Sequence, residues 1–551
     1  MMNFKNKVVY QIYTKSFRDS NGDGLGDIRG IIEKLDYLRD LGVDYLWLTP
    51  FFKSPLNDNG YDISDYRAID PVFGTMEDVE ELIAQADRRG IGLMFDMVFN
   101  HTSTEHEWFQ RALAGEKQYQ DYYIFRDGTP DAPPTNWESK FGGNAWAYVP
   151  ELGKWYLHLF DRTQADLNWD NRLVREELKD VLRFWKAKGV KGFRFDVVNL
   201  ISKPAVLQDD HRGDGRRFYT DGPHVHEYLK ELVADAGIGD MVTVGEMSST
   251  SLDNCIRYTN PAERELSMSF SFHHLKVDYK DGNKWELQPP DLAKLKELLT
   301  TWQLEMQAAG GWNAVFWCNH DQPRAVSRFG DDRRYWEESA KMLATCIHLL
   351  RGTPYIFQGE ELGMTNAGYT SIGQYRDVES LNYYRIMLQS GKTEAEALEI
   401  LRQRSRDNGR TPMQWDARTN AGFTSGTPWI MPPENYQTIN AAAELQDPDS
   451  ILNYYKKLIR LRKERPVVAE GDISFFCAER PELFAYRRTL GAEQIAVINN
   501  LTAQTLEVDE LPRADTPVRV MGNYPGMELR DGCLILRPYE SIVLDQRSAA
   551  V

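Results

Sequence analysis

The chain contains few cysteines and no long apolar run, and both shortages limit the classes of protein to which it can belong. Its five cysteines are scattered, odd in number and without a CxxC pair, which argues against a disulfide framework or a zinc site. No run of about eighteen apolar residues occurs, so a membrane-spanning helix is not expected. The opening stretch MMNFKNKVVYQIYTKSF lacks the apolar region and cleavage site of a signal peptide. We therefore expect a soluble, cytoplasmic protein.

An excess of positive charge is also absent. The net charge is −17 and the pI is about 5.2, so the overall field does not attract nucleic acid or an anionic membrane. An anionic ligand would need a local cluster of Lys and Arg. The composition is 42% hydrophobic and 27% charged, which excludes extended disorder. We expect a large folded domain with one or two smaller ones, as a monomer or weak oligomer.

Short apolar runs alternate with longer amphipathic stretches, which indicates βα units and a parallel sheet. Helical spacing of apolar residues appears at Ile31–Leu41, and Asp78–Arg88 is a second candidate helix. Eight runs are candidate strands: Val8–Tyr13, Tyr45–Leu48, Gly92–Val98, Gly192–Val198, Met241–Glu246, Ser267–Phe272, Ala314–Cys318 and Pro354–Gln358.

Two further regions have a residue pattern that differs from that of the βα units. The stretch from about residue 101 to 170 is irregular and rich in Trp, Tyr, Gly, Asn and Pro, and it is too long for a structureless loop, so we predict an inserted domain. After about Val468, short alternating segments separated by turns predict an antiparallel β domain. The predicted organisation is a barrel formed by residues 1–100 and 171–468, an insertion at 101–170 and a β domain at 469–551.

Four acidic residues stand at or just beyond the C-terminal ends of separate candidate strands. They are Asp96, Asp196, Glu246 and Asp321. A single carboxylate there is usually a helix cap or a loop anchor. Four on separate strands favour one shared site, because the C-terminal end of a barrel is where active sites are built.

Paired carboxylates suit the cleavage of an acetal. One must be protonated to release the leaving oxygen, and the other must be ionised to attack the oxocarbenium-like centre. Arg194 precedes Asp196 by two residues, so both side chains point to one face of the strand. A guanidinium at that position would keep Asp196 ionised at neutral pH.

Several motifs resemble the signature regions of the α-amylase family, glycoside hydrolase family 13, in order and spacing. They are DMVFNH (96–101), GFRFD (192–196), VGE (244–246) and FWCNHD (316–321), supported by GYDISDY (60–66), QADLNW (164–169) and NGRTPMQWD (408–416). The resemblance implies a (β/α)8 TIM barrel, an inserted B domain after the third strand and a C-terminal antiparallel β-sandwich.

The resemblance also implies a double displacement that retains the α configuration. Asp196 matches the nucleophile, Glu246 the general acid/base and Asp321 the third carboxylate that grips sugar hydroxyls. The residues implied to line the glucose pocket are Tyr61, Asp62, His101, Arg194, His320 and Arg410, with Phe141, Phe160 and Gln164 from the B domain.

The segment after the first strand, residues 19–27, is similar to the metal loop of the oligo-1,6-glucosidase branch of this family. Its proposed ligands are Asp19, Asn21, Asp23, the carbonyl of Leu25, and Asp27. Their spacing resembles the start of an EF-hand loop, although the bidentate Glu is missing and Gly30 stands there. The alternative is a plain Asn/Gly/Asp turn. The resemblance favours a structural Ca²⁺, with Mg²⁺ as the alternative, and no organic cofactor.

Three stretches resemble the trehalose 6-phosphate hydrolases of that branch: residues 214–223, 243–252 and 271–279. The implied partner is therefore a small phosphorylated disaccharide, cleaved to glucose and glucose 6-phosphate. Its phosphate needs cations on the leaving side. Lys276 and Lys284 are the preferred candidates and Arg217 the next. The alternatives are an oligo-1,6-glucosidase, a sucrose isomerase and, with less support, a non-catalytic transporter partner.

Overall fold

The computed structural model describes residues 4–509 and 518–545, so the outer ends of the predicted domains, 1–3 and 546–551, lie outside the described residues. Eight parallel strands close into a barrel in which each strand pairs with the next in the chain and the eighth with the first. They are β1 (Val9–Ile12), β2 (Tyr45–Leu48), β3 (Gly92–Met97), β4 (Gly192–Phe195), β5 (Val242–Met247), β6 (Met268–Ser271), β7 (Asn313–Val315) and β8 (Thr353–Phe357). The prediction of a TIM barrel is confirmed, and six of the eight strands end within one residue of the predicted end, while β4 and β7 each end three residues earlier.

Helices surround the barrel, and their ends are marked by side-chain caps. Met76–Arg88 begins with a capping box formed by Thr75 and Asp78. The predicted helix at Ile31–Leu41 is divided at Lys34 into two shorter ones. No helix of the described residues is long and apolar enough to cross a membrane. The α-helices are Ile28–Glu33, Leu35–Leu41, Met76–Arg88, Glu107–Leu113, Lys117–Gln120, Arg172–Ala187, Arg216–Tyr219, Val225–Asp235, Leu252–Thr259, Leu292–Ala308, Ala325–Phe329, Trp336–His348, Val378–Gln389, Glu394–Arg404, Asp407–Arg410, Ala441–Gln446, Ile451–Glu464 and Pro466–Glu470.

The insertion after β3 has its own small sheets. Strands Phe125–Asp127, Lys154–Leu157 and Trp146–Val149 form an antiparallel sheet in that spatial order, and Gln164–Asp166 pairs with His101–Ser103. The second pair joins the beginning and the end of the insertion, so both of its connections to the barrel stay beside the ends of β3 and β4. The aromatic richness of this stretch supplies a separate core that includes Trp137, Trp146 and Trp155.

The C-terminal region is an antiparallel β domain, as predicted. Its two sheets share a buried apolar core. The larger sheet has the strand order Asp472–Phe476, Leu483–Leu490, Glu493–Asn500, Ser541–Asp545 and Val518–Gly522, and the smaller has the order Leu506–Val508, Cys533–Leu536 and Glu528–Arg530. The buried guanidinium of Arg488 donates to the carbonyl of Leu349 across 2.8 Å, which ties this domain to the barrel far from the ends of the strands that carry the acids.

Candidate active site

The four acids at the strand ends lie at one mouth of the barrel, because parallel strands bring their C-terminal ends to the same edge. Arg194 of β4 is in register with Asp96 of β3, and Asp196 follows β4 directly. Glu246 is the penultimate residue of β5. Asp321 follows β7 after an extended segment, because β7 ends at Val315, three residues earlier than predicted.

The guanidinium of Arg194 links three of these carboxyls. Its Nη1 donates to Asp96 across 2.6 Å and to Asp196 across 2.7 Å, and its Nη2 contacts Glu246. Burial would lower the pKa of Arg194, but Asp96 and Asp196 raise it well above its ordinary value. Arg194 therefore stays charged and fixes the two proposed catalytic carboxyls on either side of one planar group.

Asp96 is the supporting member of this group. Its second oxygen accepts hydrogen bonds from Trp47 Nε1 and Tyr61 Oη, each at 3.0 Å. Burial raises the pKa of Asp96 against the pull of Arg194. Asp96 accepts hydrogen bonds from Arg194, Trp47 and Tyr61, and these three donors fix its carboxyl beside the guanidinium.

The backbone turns sharply at the residue after Asp196. Val197 has φ of 34°, a left-handed conformation that costs a β-branched residue about 1–3 kcal/mol. The Asp196 N–H donates to the carbonyl of Met97 across 3.0 Å, which anchors the turn to β3. Strain at this position fixes where the Asp196 carboxylate emerges from the strand.

Asp321 lies against two buried arginines on the other side of the mouth. Arg410 Nη2 donates to it across 2.7 Å and Arg406 Nη1 across 3.3 Å. Burial would raise the pKa of Asp321, but its cationic neighbours, His320 when protonated together with Arg406 and Arg410, hold it well below its usual range. Asp321 is therefore ionised and can accept hydrogen bonds from sugar hydroxyls.

His320 is neutral and has a free donor. Burial lowers the pKa of His320 to about 3. Gln11 Nε2 lies 2.7 Å from its Nδ1, and because that amide nitrogen can only donate, the ring proton resides on Nε2. Among the described residues the buried Nε2 has no hydrogen-bond partner, although Asp321 Oδ2 lies 3.5 Å away. The ring stacks on Tyr61 with centroids 5.1 Å apart. This arrangement suits a donor that waits for a substrate oxygen.

Sequence reasoning missed three residues that complete this side of the site. Asp377 accepts from Arg406 at 2.9 and 2.5 Å and lies 3.4 Å from Arg410, and Arg406 also donates to Asp58 across 3.3 Å. All of them are buried. Arg406 lies one helical turn before Arg410, and this spacing was the signal that could have identified it. Asp377 and Asp58 come from distant loops and had no such signal.

The contacts of Asp62 do not support its predicted place in the pocket. Its carboxylate accepts from Ser54 Oγ and from the backbone N–H groups of Asn57 and Asp58, so it shapes its own loop. Asp58, four residues earlier, contacts Arg406 and Gln164 instead. The acid that faces the site from this loop is therefore Asp58.

His101 and Gln164 lie where the B domain joins the barrel. His101 Nε2 lies 3.1 Å from the carbonyl of Tyr61, and Asn100 approaches the other ring nitrogen at 3.2 Å. The ammonium of Lys203 binds Asn100 at 2.8 Å and Asp166 at 2.7 Å, which joins the loops after β3 and β4 to the B domain.

Phe141 and Phe160 form an aromatic wall contributed by the B domain. Their ring centroids are 5.7 Å apart. Phe160 lies 5.2 Å from the ring of His101, and the guanidinium of Arg406 lies 4.9 Å from the ring of Phe141. Both rings also line an open groove between the B domain and helix Val378–Gln389. The wall therefore lies between this groove and the residues His101 and Arg406 of the site.

The three predicted phosphate ligands differ in their surroundings. Lys284 is neutralised by Glu379 at 2.6 Å, and Arg217 binds Asp210 at 2.9 Å. Lys276 forms no ion pair within the described residues, and burial lowers its pKa, with Arg216 as the next cause. The structure thus brings Lys276 close to Arg216. Arg216, like Lys284 and Arg217, has an acidic partner, since its guanidinium lies 2.7 Å from Asp214.

The predicted metal loop is a series of turns closed by its own side chains. Asp19 accepts from the N–H groups of Asn21, Gly22 and Gly24, and Asp27 caps helix Ile28–Glu33. Among the described residues, the acidic cluster with the spacing of a metal site lies elsewhere, at Glu176, Glu231 and Asp235. There the buried ammonium of Lys179 binds all three acids.

Comparison with known proteins gives one consistent family. The model of the α-amylase catalytic domain matches residues 11–471. The trehalose-6-phosphate hydrolase of Bacillus subtilis is 54% identical over 98% of this chain and 97% of its own, and the oligo-1,6-glucosidase of Parageobacillus thermoglucosidasius is 49% identical over 98% of both. The crystal structure of Bacillus licheniformis trehalose-6-phosphate hydrolase is 55% identical, with a TM-score of 0.94 over 98% of this chain and 99% of that one. The chain belongs to the α-amylase family.

Proposed function

We propose that this protein is a retaining α-glucoside hydrolase that cleaves α,α-trehalose 6-phosphate into glucose and glucose 6-phosphate. Relatives of that name share more than half of its residues over nearly the whole chain. A phosphorylated sugar is a metabolite of the cell interior, so we place its action in the cytoplasm. We expect a monomer or weak oligomer whose partner is this small molecule.

The proposal of a phosphorylated substrate is supported above all by the pair of cations Arg216 and Lys276. Arg216 begins the short helix in the loop after β4, and Lys276 ends the helical turn after β6, so both lie on the rim that carries Glu246. Burial lowers the pKa of Lys276, and the charge of Arg216 lowers it further, although Arg216 is itself paired with Asp214 at 2.7 Å. Within the described residues Lys276 has no acidic partner, and a chain of net charge −17 concentrates cations here. An anion between them would remove this repulsion.

In the first step Glu246 protonates the glycosidic oxygen while Asp196 attacks C1 of the unphosphorylated glucose. The C1–oxygen bond breaks, glucose 6-phosphate leaves, and a glycosyl ester of Asp196 forms. Arg194 positions the Asp196 carboxyl through its hydrogen bond of 2.7 Å. Glu246 must carry the proton in this step, as an acid catalyst requires.

In the second step Glu246, now ionised, takes a proton from water. The resulting hydroxide attacks C1 from the face that the leaving sugar vacated, so the α configuration is restored and Asp196 is released. Asp321 and the Nε2–H of His320 would hold glucose hydroxyls throughout. Arg406 and Arg410 fix Asp321 in place.

The decisive experiment compares kcat/KM for trehalose 6-phosphate, trehalose and isomaltose and identifies the products. We expect trehalose 6-phosphate to be the best substrate and to yield equal amounts of glucose and glucose 6-phosphate. Faster turnover of isomaltose would assign the second candidate, an oligo-1,6-glucosidase, which the 49% identical relative favours. An isomerised disaccharide as product from sucrose would assign a sucrose isomerase.

We also propose that the loop at residues 19–27 binds a structural Ca²⁺, or Mg²⁺ in its place. Its side chains offer the hard oxygen ligands that such ions prefer. Asp27 is buried, and burial together with the nearby charge of Asp19 raises its pKa, so a cation would offset the cost of both charges. The ion would brace the loop after β1, and no step of the reaction passes through it.

A further inference from the structure

Lys140 is a B-domain residue whose ammonium group reaches the barrel. Its backbone N–H donates to the carbonyl of Leu159 across 2.9 Å, which fixes its loop. Its Nζ donates to Ser248 Oγ across 3.0 Å and lies 6.0 Å and 5.7 Å from the ring centroids of Phe160 and Tyr219. Ser248 stands two residues after Glu246, so the ammonium binds the loop that follows β5, on the rim that carries Glu246.

The position of Ser248 is itself tightly held. Asn199 accepts from the Ser248 N–H across 2.8 Å and donates to the Ser248 carbonyl across 2.9 Å. The same Asn199 amide donates to Asp221 across 3.0 Å, and Asp221 also accepts from Thr250 and Asn254. The loops after β4 and β5 thus form one hydrogen-bonded support beneath the Lys140 ammonium.

The charge of Lys140 has no acidic partner that would justify its burial. It forms no ion pair with any described acidic residue, and burial lowers its pKa to about 7. The positive charges of Arg216 and Lys276 lower the pKa further, and the negative charges of Asp214 and Asp166 oppose them only in part. Lys140 is half-buried and the exposed cations Arg216 and Lys276 lie near enough to lower its pKa, so an anion that joined all three would gain charge-assisted hydrogen bonds.

We propose that Lys140 contacts the phosphate of the leaving sugar and, with Arg216 and Lys276, forms a three-cation subsite that determines substrate specificity. This inference rests on the proposed function. The B domain would then make two contributions to the site. It would supply the aromatic wall of Phe141 and Phe160, and it would select the leaving sugar through Lys140. A merely structural role, in which Lys140 only ties its loop to Ser248, is the alternative that the experiment must separate.

The test compares Lys140→Met and Lys140→Arg with the exposed control Lys294→Met. A charge-assisted hydrogen bond contributes about 1.5–3 kcal/mol, so Lys140→Met should lower kcat/KM for trehalose 6-phosphate about tenfold or more beyond its effect on p-nitrophenyl α-glucoside. It should weaken inhibition by glucose 6-phosphate to a similar extent. Lys140→Arg should recover most of both losses. Equal losses on the two substrates, or no recovery in Lys140→Arg, would overturn the inference.

A pH profile gives an independent readout. Between about pH 7 and 9 the phosphate is already a dianion, while the free enzyme loses the charge of Lys140, since Arg216 and Lys276 face it and Asp214 and Asp166 compensate only in part. The KM for trehalose 6-phosphate should therefore rise with pH in the wild type and stay flat in Lys140→Arg. Parallel profiles would contradict the inference, even if Lys140→Met failed to fold. A wild type that prefers isomaltose would instead defeat the proposed function itself.

Discussion

Arg194 donates a hydrogen bond of 2.7 Å to Asp196, its neighbour two positions along the same strand. Strand alternation puts both side chains on one face, so the guanidinium fixes the position of the Asp196 carboxyl before substrate arrives. The same guanidinium contacts Asp96 and Glu246, so one cation organises every carboxyl on this side of the site.

Replacing the proposed nucleophile by its amide should abolish turnover while preserving the fold. Asp196→Asn keeps the shape of the side chain, but an amide cannot form the glycosyl ester, so kcat should fall by a factor on the order of 10³ or more. Steady-state kinetics on trehalose 6-phosphate measure the loss, and circular dichroism checks the fold. Near-normal activity would exclude Asp196 as nucleophile.

The cations Arg216 and Lys276 on the leaving side should affect the hydrolysis of phosphorylated substrates more than that of unphosphorylated ones. Lys276→Ala removes a cation without an acidic partner among the described residues, and we expect a loss in kcat/KM for trehalose 6-phosphate about tenfold greater than the loss for isomaltose. Lys284→Ala is the matched comparison, because Lys284 is already paired with Glu379, and its selective effect should be smaller. Identical selectivity in both variants and the wild type would count against the phosphate site.

Asp377 should act as a positioning residue for the non-reducing glucose. Asp377→Asn removes the charge that orients Arg406 and Arg410 yet still caps helix Val378–Gln389, because Asn is as good a cap as Asp. We expect kcat/KM to fall about tenfold to a hundredfold on phosphorylated and unphosphorylated substrates alike. A fall in melting temperature with unchanged kinetics would indicate a structural role alone.

Glu360 should make the fold less stable at alkaline pH. Burial raises its pKa to about 8, well above the unfolded value of about 4.3. Its stabilising contribution is complete below that unfolded value and is lost as the pH rises through about 8. Glu360→Gln cannot ionise, so at pH 8 it should be more stable than the wild type by about 2–4 kcal/mol. Thermal unfolding between pH 5 and about 9 measures the difference, with the exposed Glu151→Gln as control; no gain at alkaline pH would refute the prediction.

Removal of a bound divalent metal ion should lower the thermal stability of the fold more than the rate of hydrolysis. If the loop at residues 19–27 binds Ca²⁺, a chelator should lower the melting temperature, and added Ca²⁺ should restore it. Activity at low temperature should persist, because the ion takes no part in the reaction. Asp23→Ala should lose the response to Ca²⁺. A melting temperature that is indifferent to the chelator would leave the loop as a plain set of turns.

The sequence predicted the barrel and its carboxyls because both follow from local patterns. Asp96, Asp196 and Glu246 lie on strands whose ends meet at one mouth, so their convergence follows once the strands are recognised. The loop at residues 54–62 shows where this reasoning stops. Asp58 and Asp62 lie four residues apart, and a chain with positive φ at Leu56, Asn59 and Gly60 can turn either one towards the site.

The sequence by itself therefore determined the fold class, the family motifs and the proposed nucleophile and acid, since strand alternation and spacing act over a few residues. The tertiary structure alone decided which long-range partners surround them. Asp377, Arg406 and Lys140 lie in loops whose positions depend on how the B domain and the segment after β8 pack against the barrel. It also showed that Lys284 has an acidic partner and that Lys276 forms no ion pair with the described residues. A charge can be read from the sequence, but its partner is set by packing.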